Sequence, residues 1–225
     1  MASSRAARRQ PAIYVLAGAN GAGKSSLGGE LLIASGGSFF NPDAHARRIR
    51  ELMPELDVAE ANAMAWNQGR AGLERAIAMR GNYAFETTLG GQTIAALLVR
   101  AAQSGLAVRV WFVGLAHAGM NVLRVHARVL NGGHDIPEED IRRRYDAGRS
   151  NLVRLLPVLD ELRVYDNSVD ADPFLGRSPH PRLLLHLVRQ QILGPEDLAA
   201  TPGWAKGIVV AAIKLAAGAR QRPGG

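Results

Sequence analysis

Short apolar runs alternate with amphipathic stretches along most of this chain. Ala12-Ile-Tyr-Val-Leu-Ala17 has the length of a buried strand and ends in a glycine-rich turn. Residues 25–33 show a helical rhythm through Leu27, Leu31 and Leu32, which stops near Ser35-Gly36-Gly37. Ser38-Phe-Phe40 reads as a second strand, closed by Asn41-Pro42-Asp43 at the start of a helix. Over residues 58–79, Ala63, Trp66, Gly69, Leu73 and Ile77 keep helical spacing. Tyr83-Ala-Phe85 is a third strand, left through Glu86-Thr87-Thr88, and residues 94–103 are helical. The longest and most apolar strand is 108–115. Two more helices are expected, over 120–130 and from Glu138 onward. The second has an apolar face at Ile141, Tyr145, Leu152, Leu155 and Leu159, and acids in its first turn, where the helix dipole favours them. Arg163-Val-Tyr165 is a fifth strand.

Five strands separated by helices predict an α/β fold with a five-stranded parallel sheet covered by helices on both faces. The domain organisation follows from composition shifts. Residues 1–10 read as a disordered basic tail, 11–170 as the α/β domain, and the Pro-, Gly- and Asp-rich stretch 171–182 as a linker. Residues 183–219 read as a C-terminal helical extension, with helices over 183–192 and 204–215 packed back on the domain.

Composition narrows the setting. The chain has 225 residues, and 47% are hydrophobic, enough for a full core without staples. There is no cysteine, which excludes disulfides, thiolate zinc sites and cysteine nucleophiles. No apolar run approaches the roughly 18 residues that span a bilayer, and the first nine residues lack the apolar core of a secretory signal. A cytoplasmic protein without membrane contact is expected. The formal charge of +7 suits a polyanion or a phosphorylated small molecule. Aromatics at 5%, with no RNP-like stripe or zinc-finger spacing, argue against nucleic acid.

One segment carries clear chemistry. Gly18-Ala-Asn-Gly-Ala-Gly23-Lys24-Ser25 fits G-x-x-x-x-G-K-[ST], follows a predicted strand and opens a predicted helix. Its glycines let backbone N–H groups converge on a phosphate, and the helix end adds its positive dipole. The residues expected to hold ATP or GTP are Gly18, Ala19, Asn20, Gly21, Ala22, Gly23, Lys24, Ser25 and Ser26, with Ser25 on Mg²⁺.

The kind of P-loop protein follows by elimination. The chain has no base-reading N-K-x-D segment, no L-S-G-G-Q signature and no Walker B acid, since the strand 108–115 runs into Gly-Leu-Ala-His117. Small-molecule kinases remain, and three features fit them. Asp43 lies beyond the second strand, at the carboxyl edge where open α/β sheets bind ligands, and can take a hydroxyl proton; it can equally cap the helix after Pro42. Glu86 is a second acid on that edge. Arg128 precedes a Gly132-Gly133 hinge, and Arg142, Arg143 and Arg144 follow it, in position to stabilise charge on a transferring phosphoryl group. At about 100° per residue Arg143 points away from the Ile141/Tyr145 face, while Arg142 and Arg144 flank it. The segment 131–137, with His134, is expected to be a hinged lid.

Taken together, the P-loop, Phe40-Asn-Pro-Asp43, Phe85-Glu-Thr-Thr88 and Arg128-x-x-x-Gly132-Gly-His134…Pro137-Glu…Ile141-Arg-Arg-Arg-Tyr145 resemble the zeta-toxin family of P-loop kinases over residues 11–170, most of all its small stand-alone bacterial members. The resemblance implies ATP- and Mg²⁺-dependent phosphorylation of a UDP-linked amino sugar, typically UDP-N-acetylglucosamine, at its 3′-hydroxyl. It also implies an antitoxin protein that blocks the ATP site. By motif position, Asp43 would be the base, Glu86 and Thr87 would hold the acceptor, and Arg128 with Arg144 or Arg142 would clamp the phosphates. Two other readings stay open: the same chemistry on a nucleoside, antibiotic or polynucleotide end, and a non-catalytic nucleotide-binding module.

Overall fold

The computed structural model describes residues 10–36, 39–131, 133, 135–169 and 180–221. Most of the expected tail (1–9) and linker (171–179), together with Gly132 and His134 of the expected lid, lie outside the described residues.

Strand β1 (Ala12–Ala17) is buried at all six positions, because strands β2 (Tyr83–Thr87) and β3 (Ala107–Gly114) flank it in parallel register and helices cover both faces. Strand β4 (Glu161–Asp166) continues the parallel set beside β3. Strands β5 (Arg182–Val188) and β6 (Gln191–Gly194) then extend the sheet antiparallel, in the order β2-β1-β3-β4-β5-β6.

Alternation along the strands divides the core. Ile13 and Val15 of β1, with Val108, Val110 and Phe112 of β3, face helices α3 (Val58–Met79), α4 (Gln92–Gln103), α6 (Glu138–Leu155) and α7 (Lys206–Arg220). Tyr14, Leu16, Trp111 and Val113 point the other way, onto Leu27 and Leu31 of helix α1 (Ser25–Ser35). Helix α2 (Pro42–Leu52) packs on the first half of α3 through Ala46, Ile49, Ala61 and Ala65. Helix α5 (Ala118–Leu130) meets α6 through Val122, Val125 and Ile141. Among the described residues no helix is long and apolar enough to cross a membrane.

The α/β class is as expected, but the sheet is not five parallel strands. Ser38 of the expected second strand lies outside the described residues; among those described, Phe40 makes a parallel bridge to Phe85, and Asn41 and Pro42 start α2 directly after it. The expected helix over 183–192 is instead the β5–β6 hairpin. A continuous apolar run such as Leu183-Leu184-Leu185-His186-Leu187 has no period that separates strand from helix. Arg189 and Gln190, at φ 45° and 63°, form the tight turn with both central residues left-handed. The second expected C-terminal helix is present as α7.

The C-terminal segment is tied to the sheet edge by Trp204. Its ring covers Gly114 so closely that an added Cβ there would lie 2.3 Å from it, and its Nε1 donates to Asp166 Oδ1 at 3.2 Å. Gly114→Ala is therefore expected to destabilise the fold by about 1–3 kcal/mol, the usual range for overpacking. Thermal unfolding checks this: Gly114→Ala should regain stability when combined with Trp204→Leu, whereas equal loss in both backgrounds would contradict the contact.

Candidate active site

The loop between β1 and α1 takes its shape from three glycines at positive φ: Gly18 (144°), Gly21 (77°) and Gly23 (81°). Neighbours brace it from behind. Asn121 Nδ2 donates to Asn20 O at 2.7 Å, and Asn167 Nδ2 to Ala22 O at 3.0 Å. A side chain on Gly23 would collide with that Asn167 amide, at 2.2 Å. Arg124 donates to Asn167 O at 2.9 Å, so the end of β4 and helix α5 are fastened to the loop together.

Lys24 is 7% exposed, a costly position for an ammonium unless it is paired. Its Nζ donates to Gly18 O at 2.8 Å and Ala19 O at 3.2 Å, and lies 3.4 Å from Glu86 Oε1. Ser25 is the first residue of α1 and is exposed; Ser26 Oγ turns back to Gly23 O at 2.7 Å. A curled loop, a lysine fixed at its rim and a free hydroxyl at the helix start fit a nucleotide triphosphate with Mg²⁺.

A cavity of about 720 Å³ opens beside the loop. Lys24, Asp43, Glu86, Thr87, Arg143 and Arg144 all line it. Glu86 ends β2 and is held from both sides, by Lys24 and by Asn41 Nδ2, which donates to its Oε2 at 2.9 Å. The same Asn41 caps α2, accepting from Ala44 N at 3.0 Å. The cap thus falls to Asn41, and the Asp43 carboxylate is left in the cavity wall, 3.6 Å from Arg128 Nη1. Thr87 Oγ1 accepts from Leu89 N at 3.0 Å, supporting a turn in which Leu89 sits at φ 55°.

The arginines separate in a way that helical phase foresaw for Arg144 and Arg143 but not for Arg142. Arg144 reaches the loop, donating to Asn20 Oδ1 at 3.0 Å, with Asp140 Oδ2 at 3.4 Å on its other side. Arg142 is not in the cavity wall; it pairs with Glu138 at 2.6 Å on the surface. Arg143 is solvent-exposed, as helical phase expects, and pairs with Asp140 at 2.6 Å at the cavity's border. Hydrogen bonding from Arg143, with the charge of Arg144 beside it, holds the Asp140 carboxyl below the usual carboxylate range. Phase gives the angle from the buried face but not which flank meets the cavity, and the cavity lies on the Asp140/Arg144 flank. Arg128 sits by Asp43 and not in this wall.

Two residues at the site, Asn41 behind the wall and Trp66 in it, were given no role from the sequence. Asn41 was legible as a cap, since Asn before Pro at the first helical position is a strong signal. Trp66 was read only as a position at helical spacing; it is 45% exposed in the cavity, with the Arg70 guanidinium 5.7 Å from its ring centroid. It shares a face with Leu73 and Ile77, but 22 residues of helix run to about 33 Å. Strands of five or six residues span about 17–20 Å, so the first half of α3 overhangs the sheet and the same face becomes cavity wall.

Residues 2–174 match the family model described as Zeta toxin. An uncharacterized protein of Haemophilus influenzae is 29% identical over 137 residues, covering 57% of this chain and 88% of that protein. The solved structure of the native AvrRxo1-ORF1:-ORF2 complex is similar with a TM-score of 0.61 at 14% identity, over 92% of this chain and 71% of that one. The AvrRxo1-ORF1:-ORF2 complex with ATP gives 0.58 at 14% identity, over 90% and 64%. The PezAT chromosomal toxin-antitoxin system of Streptococcus pneumoniae gives 0.54 at 13%, over 95% and 89%. At these identities the solved structures establish a shared fold.

The placement of the arginines has a direct kinetic consequence. Arg144→Ala is expected to lower phosphoryl transfer by roughly 10²-fold, the scale of removing one preorganised donor from developing charge. Arg142→Ala, which trims an exposed pair, should leave turnover unchanged. Steady-state kinetics of the two variants side by side checks this, and a crippled Arg142→Ala would contradict the assigned flank.

Proposed function

The chain belongs to the zeta toxin family and is an ATP-dependent phosphotransferase, and from that premise we propose that it phosphorylates the 3′-hydroxyl of a UDP-linked N-acetyl amino sugar such as UDP-N-acetylglucosamine. The observation that carries this reading is that a phosphate loop and an acid outside it share one cavity: Lys24 and Arg144 stand in the same wall as Asp43 and Glu86. A module that only binds nucleotide has no use for that second set. The half-exposed Trp66 supports a nucleotide-linked acceptor, because its free face suits stacking of a base.

The residues divide the work. An ammonium has three donors, and Lys24 gives two to loop carbonyls, leaving the third for the β- and γ-phosphates in place of Glu86. Asp43 accepts the proton of the acceptor hydroxyl as that oxygen bonds to the γ-phosphorus and the bond to the β–γ bridging oxygen breaks, releasing ADP. Arg128 orients the Asp43 carboxylate, and Arg144 meets the charge spreading over the transferring oxygens. Glu86 and Thr87 bound the acceptor side of the loop. Ser25 would hold Mg²⁺, whose charge would offset part of the charge on the phosphates. A protein antitoxin completes the reading, on the model of the neighbours solved as a toxin-antitoxin system and as an ORF1:ORF2 complex.

Incubation with γ-labelled ATP and UDP-N-acetylglucosamine tests the acceptor: label should move to the nucleotide sugar. Lys24→Ala should abolish that transfer while the fold remains intact by circular dichroism. Asp43→Asn should leave ATP affinity close to wild type and cut turnover by roughly 10²–10⁴-fold, the range of general-base catalysis. Equal loss of ATP affinity and turnover in Asp43→Asn would make Asp43 part of the nucleotide site instead.

A further inference from the structure

A second cavity, of about 470 Å³, adjoins the first and shares Asp43, Val58 and Asn62 with it. Its wall is strongly basic. Asp43, Arg47 and Arg50 recur at i, i+4 and i+7, which places them on one face of α2. Arg128 approaches from the last turn of α5. Arg48, on a different face of α2, pairs with Glu51 at 3.0 Å, but Arg47 and Arg50 have no ion-pair partner among the described residues. The Arg128 guanidinium touches Asp43 through Nη1, while its Nε and Nη2 are buried with no hydrogen-bond partner.

Three guanidiniums face one carboxylate here, and buried donors without acceptors are destabilising. A neutral sugar or polyol would leave that excess charge in place. A phosphate or diphosphate would satisfy it, because guanidinium forks match phosphate oxygens bidentately. We propose that this second cavity is an anion subsite that grips the phosphate groups of the acceptor, while the hydroxyl to be phosphorylated meets Asp43 where the two cavities join. The inference deepens the proposed function and rests on Asp43 as the base. It narrows the acceptor class to phosphorylated molecules, and it makes Arg47 and Arg50 residues that set acceptor specificity.

Calorimetric titration of inorganic pyrophosphate into the full chain tests the subsite. The protein is first saturated with a non-hydrolysable ATP analogue, with Mg²⁺ in excess over both anions, so that the P-loop is filled. Wild type should still bind pyrophosphate. Arg47→Gln/Arg50→Gln should bind it at least about tenfold more weakly, as expected on losing two charge-assisted contacts. Arg47→Lys/Arg50→Lys should recover part of the affinity, and Arg48→Gln should match wild type. The affinity of the analogue, read in the same samples, reports that the P-loop is still formed. Absence of pyrophosphate binding in wild type, or equal binding in the double Gln variant, overturns the subsite.

Turnover with UDP-N-acetylglucosamine separates this inference from the acceptor's identity. Transfer with a KM unaltered by the double Gln substitution overturns the subsite and leaves that acceptor standing. No transfer, with pyrophosphate binding still dependent on Arg47 and Arg50, overturns the acceptor and leaves the subsite standing.

Discussion

The buried ammonium of Lys24 is the contact on which the site's geometry depends. A charge that is 7% exposed must be paired on every side. Two partners are carbonyls of its own loop, Gly18 O and Ala19 O, so the lysine locks the curl that the glycines make sterically possible. The third is Glu86, at the end of the neighbouring strand β2. Glu86 is in turn held by Asn41, and Asn41 caps the helix that carries Asp43. The order of the phosphate loop is thus transmitted through two polar side chains to the acid on the acceptor side. On the proposed function, an incoming phosphate would compete with Glu86 for the lysine and so couple nucleotide binding to the helix that presents Asp43.

The parallel sheet explains why these groups meet at all. Strands β1 to β4 run the same way, so their carboxyl ends share one edge. Gly18 follows β1, Glu86 and Thr87 close β2, and Asp166 and Asn167 lie at the end of β4. Asn167 braces the loop, while Asp166 anchors Trp204 and so the C-terminal segment. The antiparallel β5–β6 hairpin lengthens the sheet away from the site. Its role is to widen the core under α7, where Leu184, Leu185 and Leu187 join Ile208 and Val209.

What the sequence made legible is what backbone geometry or strand ends dictate. The P-loop could be read because the pattern's two fixed glycines, Gly18 and Gly23, take φ 144° and 81°, which favour glycine, and the lysine follows the second. Asp43 and Glu86 could be placed at the carboxyl edge because each lies at or just beyond the end of a short apolar run. The hairpin 182–194 could not, since a uniformly apolar run lacks a period and its turn uses Arg189 and Gln190 in place of the usual Asn or Gly. Trp66 was hidden because the overhang of α3 depends on the relative lengths of helix and sheet, a tertiary property. Arg142 was misplaced because the cavity's side of α6 is set by the packing of α5 and the P-loop, neither of which is written into that helix. Arg47 and Arg50 drew no notice for the same reason: their face gains meaning only when α5 brings Arg128 opposite.

The central claim is that nucleotide and acceptor occupy one continuous space with Asp43 between them. A crystal structure with a non-hydrolysable ATP analogue, Mg²⁺ and UDP-N-acetylglucosamine tests it most directly. The 3′-hydroxyl should lie within hydrogen-bond reach of the Asp43 carboxylate and face the γ-phosphate beside Lys24 and Arg144. An acceptor bound away from Asp43, or one whose hydroxyl faces the γ-phosphate with Asp43 turned aside, would contradict it.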